Sequence, residues 1–168
     1  MKYLLDHGHR RIVALEGPED LYSSKQRHRG WMDAIEEYGI DPQRIPVFHG
    51  TYRFESGLNL AEKILSLEPT ALLSFNDEMA FGVERYMIQQ GLQVPQDLSI
   101  IGFDNWNKTM YTSMDLTTVD RNMHDLAEEA TRLLLKEIQD KENDLEPAHS
   151  KTVFLEAPLI ERGSVETL

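Results

Sequence analysis

The stretch Val94-Pro95-Gln96-Asp97-Leu98-Ser99-Ile100-Ile101-Gly102-Phe103-Asp104-Asn105 decides the fold. Pro95 ends what precedes it and biases Val94 toward extended geometry. Leu98, Ile100, Ile101 and Phe103 make an almost continuous apolar run, as expected of a strand covered on both faces of a parallel sheet. Gly102 lets the backbone come close to a neighbour. Asp104 then falls just past the strand's carboxyl end, where open α/β sheets bind ligands. The same Asp104-Asn105 pair also reads as a plain polar turn.

Working backward, the same unit recurs. Residues 1–7 read as the tail of a helix with Gly8 as its stop, and a helix that starts uncapped at residue 1 implies a chain that once extended further back. Residues 11–16 read as a strand broken by Gly17-Pro18. Ser23 or Ser24 can cap a helix to Tyr38, with Trp31, Ala34, Ile35 and Tyr38 on its inner face. Residues 45–48 form a short strand, 55–66 a helix, and 70–75 a third strand. Asp77 can cap a helix carrying Met79, Ala80, Val83, Tyr86 and Met87, closed by Gly91. This β-α-β-α-β-α-β order with short connections predicts an α/β fold, a parallel sheet with helices on both faces. Right-handed crossovers then bring Glu16–Gly17, His49–Tyr52, Asn76–Asp77 and Asp104–Asn105 to one edge.

Working forward, the rhythm changes. Residues 106–115 read as an irregular polar and aromatic loop and 116–119 as extended. A long helix follows over 123–140, its stripe formed by Met123, Leu126, Ala127, Ala130, Leu133, Leu134 and Ile138. Residues 140–151 read as a charged linker, and 153–155 and 159–160 as closing strands.

Bulk properties narrow the function. The 168 residues suffice for one domain or one domain with an appendage, and 40% are hydrophobic, as in an ordinary globular protein. The absence of cysteine excludes disulfides and thiolate chemistry. No apolar run approaches the ~20 residues of a membrane span, and residues 1–7 show no secretory pattern. Together these read as a cytoplasmic protein. A formal charge of −12, from 29 acidic and 17 basic residues, opposes binding to nucleic-acid phosphate by this chain alone.

The chemistry-bearing residues point to binding more than to catalysis. Phosphate-loop, Gly-x-Ser-x-Gly and His-Glu-x-x-His motifs are absent. His7-Gly8-His9 lies beside Arg10 and Arg11 and reads as a positively charged helix end, so no metal and no cofactor is expected. On the predicted edge, Arg27 supplies a planar fork of donors, Asp104 two acceptors, Asn76 both kinds, and Tyr52 a flat ring. That set suits a polyhydroxylated molecule, whose hydroxyls donate and accept and whose C–H face stacks on an aromatic. Taken singly, Arg27 reads equally as a solvated helix residue and Tyr52 as loop packing. An enzyme using Asp104 with His49 or Asp77 is the alternative from another class.

Several ordered motifs resemble those of one family. They are Gly8-His9-Arg10-Arg11-Ile12-Val13, Ser23-Ser24-x-x-Arg27-x-x-Gly30-Trp31, Gly50-x-Tyr52-x-x-Glu55-x-Gly57, Asn76-Asp77-x-Met79-Ala80-x-Gly82, the 94–105 stretch, Leu116-Thr117-Thr118-Val119, and Leu159-Ile160-x-Arg162-x-Ser164. Together they resemble the lactose/galactose repressor (LacI/GalR) family of bacterial transcription regulators over nearly the whole chain. The resemblance implies a periplasmic-binding-protein-like (type I) effector domain of two subdomains, of which this chain carries the carboxyl-side part. Residues 1–119 would form the C-terminal subdomain. Residues 120–150 would be the crossing segment and the long helix of the missing N-terminal subdomain, and 151–168 would return to the C-terminal one.

Carried over residue by residue, the resemblance makes Arg27, Asn76 and Asp104 polar effector ligands, with Tyr52 stacking, Ser23 a weaker contact and Arg121 near the crossing. It implies no catalytic residue. The partners it implies are a small-molecule effector, expected to be a carbohydrate, a second copy of the chain, and operator DNA only through a helix-turn-helix that this chain lacks. Met114 departs from the family pattern, which has proline there, and this bears on the path of 106–115 and on dimer contacts from Trp106 and Tyr111. With its usual subdomain missing, the 123–140 stripe is predicted to pack on a second copy. A transport-type solute-binding protein of the same fold is the remaining alternative.

Overall fold

Each apolar run bounded by a turn signal becomes an element of the sheet or a helix upon it. The computed structural model describes residues 1–106, 114–143 and 152–168. The strands are β1 (Ile12–Glu16), β2 (Val47–His49), β3 (Ala71–Ser74), β4 (Ser99–Asp104), β5 (Thr117–Asp120) and β6 (Leu159–Ile160). The helices are α1 (Lys2–Asp6), α2 (Tyr22–Glu37), α3 (Phe54–Leu65), α4 (Asp77–Gln89) and α5 (Met123–Glu142).

All six strands share one sheet in the order β2-β1-β3-β4-β5-β6. The first three pairings are parallel, with Ala14 beside Val47, Ile12 beside Ala71 and Ala71 beside Ser99. β5 and β6 pair antiparallel, Thr118 opposite Ile160. All five residues of β1 are buried, as a central strand covered on both faces requires. The core joins Ile12, Leu15, Leu72, Ile100, Met79 and Ile35 with Leu4 and Leu5 of α1.

The chain divides into two units, Met1–Val119 with Leu159–Leu168, and Asp120–Pro158. In the first, the residues after β6 are stitched into the sheet. Ser164 accepts the Thr117 N–H and donates to the Ile100 carbonyl, and the Glu166 N–H donates to Ser99. In the second, α5 has no buried residue at all.

Four local expectations need correction. Asp77 does not cap α4; Asn76 does, its side-chain oxygen accepting the Met79 N–H at 3.0 Å. Neither Ser23 nor Ser24 caps α2, whose N-cap is Leu21 without a side-chain bond. Tyr38 faces outward and donates its hydroxyl to Asp6. Residues 153–155 form no strand, and Phe154 is 91% exposed, because three apolar residues without a paired neighbour have no ladder to join. The expectations for 107–113, including a contact from Tyr111, and for most of the 140–151 linker lie outside the described residues.

Candidate functional site

Parallel pairing of β2, β1, β3 and β4 sends their carboxyl ends to one edge, so His49, Glu16, Asn76 and Asp104 gather there. The centre of that edge is Arg27. Its guanidinium donates to the Phe75 carbonyl and to Asp104 Oδ1, the latter at 3.2 Å. Its carbon lies 3.9 Å from the centre of the Phe103 ring and 5.5 Å from that of Tyr52. Two fixed acceptors and a ring against its face hold the fork in one orientation. The side chains of Arg27 and Asp104 are only 14% and 19% exposed, so the pair is shielded far better than a surface ion pair.

Tyr52 is fixed from three sides. Its φ of 63° turns the chain after β2, and its ring lies flat on Gly17, where a Cβ would run into it. Its hydroxyl shares a 2.7 Å hydrogen bond with Ser24. Its carbonyl accepts from Asn76 Nδ2 at 2.8 Å. Asn76 therefore spends its amide on Tyr52 and its oxygen on the α4 cap, and it joins the two elements that flank Arg27.

The sequence reading brought Arg27, Asn76, Asp104 and Tyr52 together, and they do converge. Ser23 is exposed on α2, and it is the neighbouring buried Ser24 that reaches Tyr52. Arg121 is an exposed residue between β5 and α5, in the second unit. Three contributors were not given a role in the site: Phe103, read as core; Ser24, read as a possible cap; and Gly17, read as a break that falls on the edge. A glycine immediately after a strand, facing an aromatic loop, was the available signal for the last.

A second group lies further along the edge. Glu16 is buried, accepts the Trp31 indole N–H at 2.6 Å and has His28 Nδ1 at 2.7 Å. His49 lies 4.0 Å from Glu16 and 3.1 Å from Glu19. Glu16, Glu19, His28 and His49 line a cavity of about 420 Å³ with Ser24 and Lys25. Another cavity, about 540 Å³ and largely apolar, has Leu73, Ile101 and Phe103 with Trp31 and Arg27 in its wall.

The histidines after α1 serve the fold. His7 Nδ1 meets the Tyr3 carbonyl at 2.8 Å. His9 is buried, with Nε2 on the Glu166 carbonyl at 2.9 Å and Nδ1 on the Thr70 hydroxyl at 3.1 Å. Burial pushes its imidazole below the usual value, against the opposing pull of the Glu166 carbonyl. Among the described residues, one His/carboxylate trio offers ligand atoms within 4.8 Å of one another. It is His124, Asp125 and Glu128, all exposed on α5. No helix among the described residues is long and apolar enough to cross a membrane.

A model of the periplasmic binding protein-like domain matches residues 1–165. The chain belongs to this family. Within it, the curated relatives are transcriptional repressors rather than enzymes. The chain is 34% identical to the HTH-type transcriptional repressor PurR of Vibrio atlanticus (strain LGP32), over 99% of its own length and 49% of that protein's. It is 36% identical to the HTH-type transcriptional repressor CytR of Escherichia coli (strain K12), over 100% of its length and 48% of that protein's. It thus spans about half the length of the curated relatives it matches.

Solved structures agree. A LacI family transcriptional regulator from Enterococcus faecium, with bound ribose, superposes with a TM-score of 0.86 at 28% identity, over 99% of this chain and 60% of that one. A dimeric Lac repressor with an 11-residue C-terminal deletion gives 0.86 at 28%, over 99% and 59%. The resemblance to LacI/GalR regulators read from the sequence is upheld, as is the α/β, periplasmic-binding-protein-like fold.

Proposed function

We propose that this chain is the effector-binding portion of a cytoplasmic, dimeric transcription regulator, which reaches operator DNA through a separate helix-turn-helix. Residues 1–119 and 159–168 serve as its C-terminal subdomain, and 120–158 as crossing segment and helix of the other. The effector is a small carbohydrate or a ribose-bearing molecule. Arg27 and Asp104 hold its hydroxyls, and Tyr52 stacks on its C–H face. Binding would favour one closure of the two subdomains and so one spacing of the DNA-binding heads.

The observation that carries this reading is the shielded Arg27–Asp104 pair, 3.2 Å apart at the strand ends beside an aromatic ring. Vicinal hydroxyls match it, since each can donate to the carboxylate while accepting from the guanidinium. The bound ribose of the Enterococcus faecium regulator names a first probe. Calorimetry with D-ribose, other pentoses, hexoses and ribonucleosides tests it. At least one should bind, and Asp104→Asn should weaken it tenfold or more, since a hydrogen bond to a charged group contributes about 1.5–3 kcal/mol. No binding across the panel, or full affinity in Asp104→Asn, overturns the reading.

A further inference from the structure

Asp77 poses a question that the proposed effector site does not answer. It is 1% exposed and does not cap its helix. A buried carboxyl group is tolerated only where hydrogen bonds compensate its desolvation. Asp77 has two, from different elements. Oδ2 accepts the backbone N–H of Trp106 at 2.8 Å, just beyond β4. Oδ1 accepts the Thr118 hydroxyl at 2.6 Å, in β5. The first turn of α4 adds its positive end. β4 makes room for the group: at Gly102 a Cβ would collide with Asp77 Oδ1.

Between Gly102 and Trp106 lie two of the chain's positive-φ residues. Asp104 has φ 126° and Asn105 φ 50°, conformations costly for residues with a Cβ unless the surroundings impose them. The surroundings here are the Asp77 network. Thr118 Oγ1, besides donating to Asp77, lies 3.4 Å from the Asn105 N–H. Arg162, just after β6, donates to Asn105 Oδ1 and to the Leu116 carbonyl, each at 2.6 Å.

We propose that Asp77 is the positioning residue of the effector site, fixing the positive-φ segment at the end of β4 that aims Asp104 at Arg27 and tying that segment to β5. β5 is the strand by which the chain leaves the first unit, so one buried carboxylate sets both the effector's acceptor and the start of the exit strand. The role in binding rests on the effector reading above; the role in holding the backbone does not.

The test uses the protein expressed from its full reading frame. In Asp77→Asn an NH2 donor takes the place of one carboxylate oxygen, so one of the two hydrogen bonds is lost or reversed. Amide exchange at Asn105 and Trp106 should rise at least tenfold while β1 and β3 stay protected, and D-ribose affinity should fall at least tenfold. Thr118→Val should act in the same direction, and Thr118→Ser, which keeps the hydroxyl, should return both readouts to within about threefold of the parent. If Asp77→Asn does not fold, the Thr118 pair decides. Parental exchange at Trp106 in Asp77→Asn, or Thr118→Ser no better than Thr118→Val, overturns the proposal. If the parent protein ignores D-ribose, the loss falls on that probe, and exchange alone judges Asp77.

Discussion

Helices α4 and α5 carry the same kind of message and meet different fates. Both have apolar residues at helical spacing. In α4, Met79, Ala80, Phe81, Val83 and Met87 are all buried. α5 is longer, twenty residues against thirteen, and buries none, leaving Leu134 58% and Leu135 56% exposed. An amphipathic pattern states which face a helix would bury. It does not state what arrives to bury it. Most helical stability in proteins comes from that packing, so the two helices should differ in stability far more than in pattern.

The contrast can be broken most forcefully in the first unit's core. Leu72→Ala, at a residue with no exposure in β3, should lower unfolding free energy by about 2–5 kcal/mol in urea melts followed by fluorescence. A loss under about 1 kcal/mol would mean that the core tolerates a hole. Asn76→Ala should cost less, about 1 kcal/mol for the cap, read as a fall in Tm, and it should free the Tyr52 carbonyl as well. A smaller effect comes with acid. The folded-state imidazole of His9 sits below its unfolded value of 6.5, so the unfolded chain takes up the proton first as pH falls. Its contribution is therefore full above pH 6.5 and declines below it, and His9→Gln should flatten that part of a Tm–pH curve. Smallest of all, Leu134→Ala in α5 should stay within about 0.5 kcal/mol at dilutions where sedimentation gives the mass of one chain. A cost near that of Leu72→Ala, with a mass in sedimentation above one chain, would instead place a second copy on this face.

The parallel sheet was legible because its strands are short, apolar and punctuated by Gly and Pro, and because strand ends must share an edge. That logic brought Arg27, Tyr52, Asn76 and Asp104 together from positions 77 residues apart. It could not tell which of two adjacent residues faces which way. Asn76 and Asp77 were exchanged in role, since either can cap a helix, and only the tertiary fold shows that Thr118 and Trp106 lie in wait for the second. Ser24, and not Ser23, reaches Tyr52 for a similar reason: one residue along a helix is a turn of about 100°. Phe103 looked like core and proved to be the plate on which Arg27 rests.

The stitching of residues 159–168 bears on how the protein is made. Ser164 bridges Ile100 and Thr117, Glu166 reaches Ser99 and His9, and the Leu168 N–H donates to the His7 carbonyl. The first unit thus cannot complete its sheet from the residues synthesised first. Asp120–Pro158 must be translated in between, which at ~5–20 residues per second delays completion by roughly several seconds. During that interval β4 and β5 lack their last neighbour.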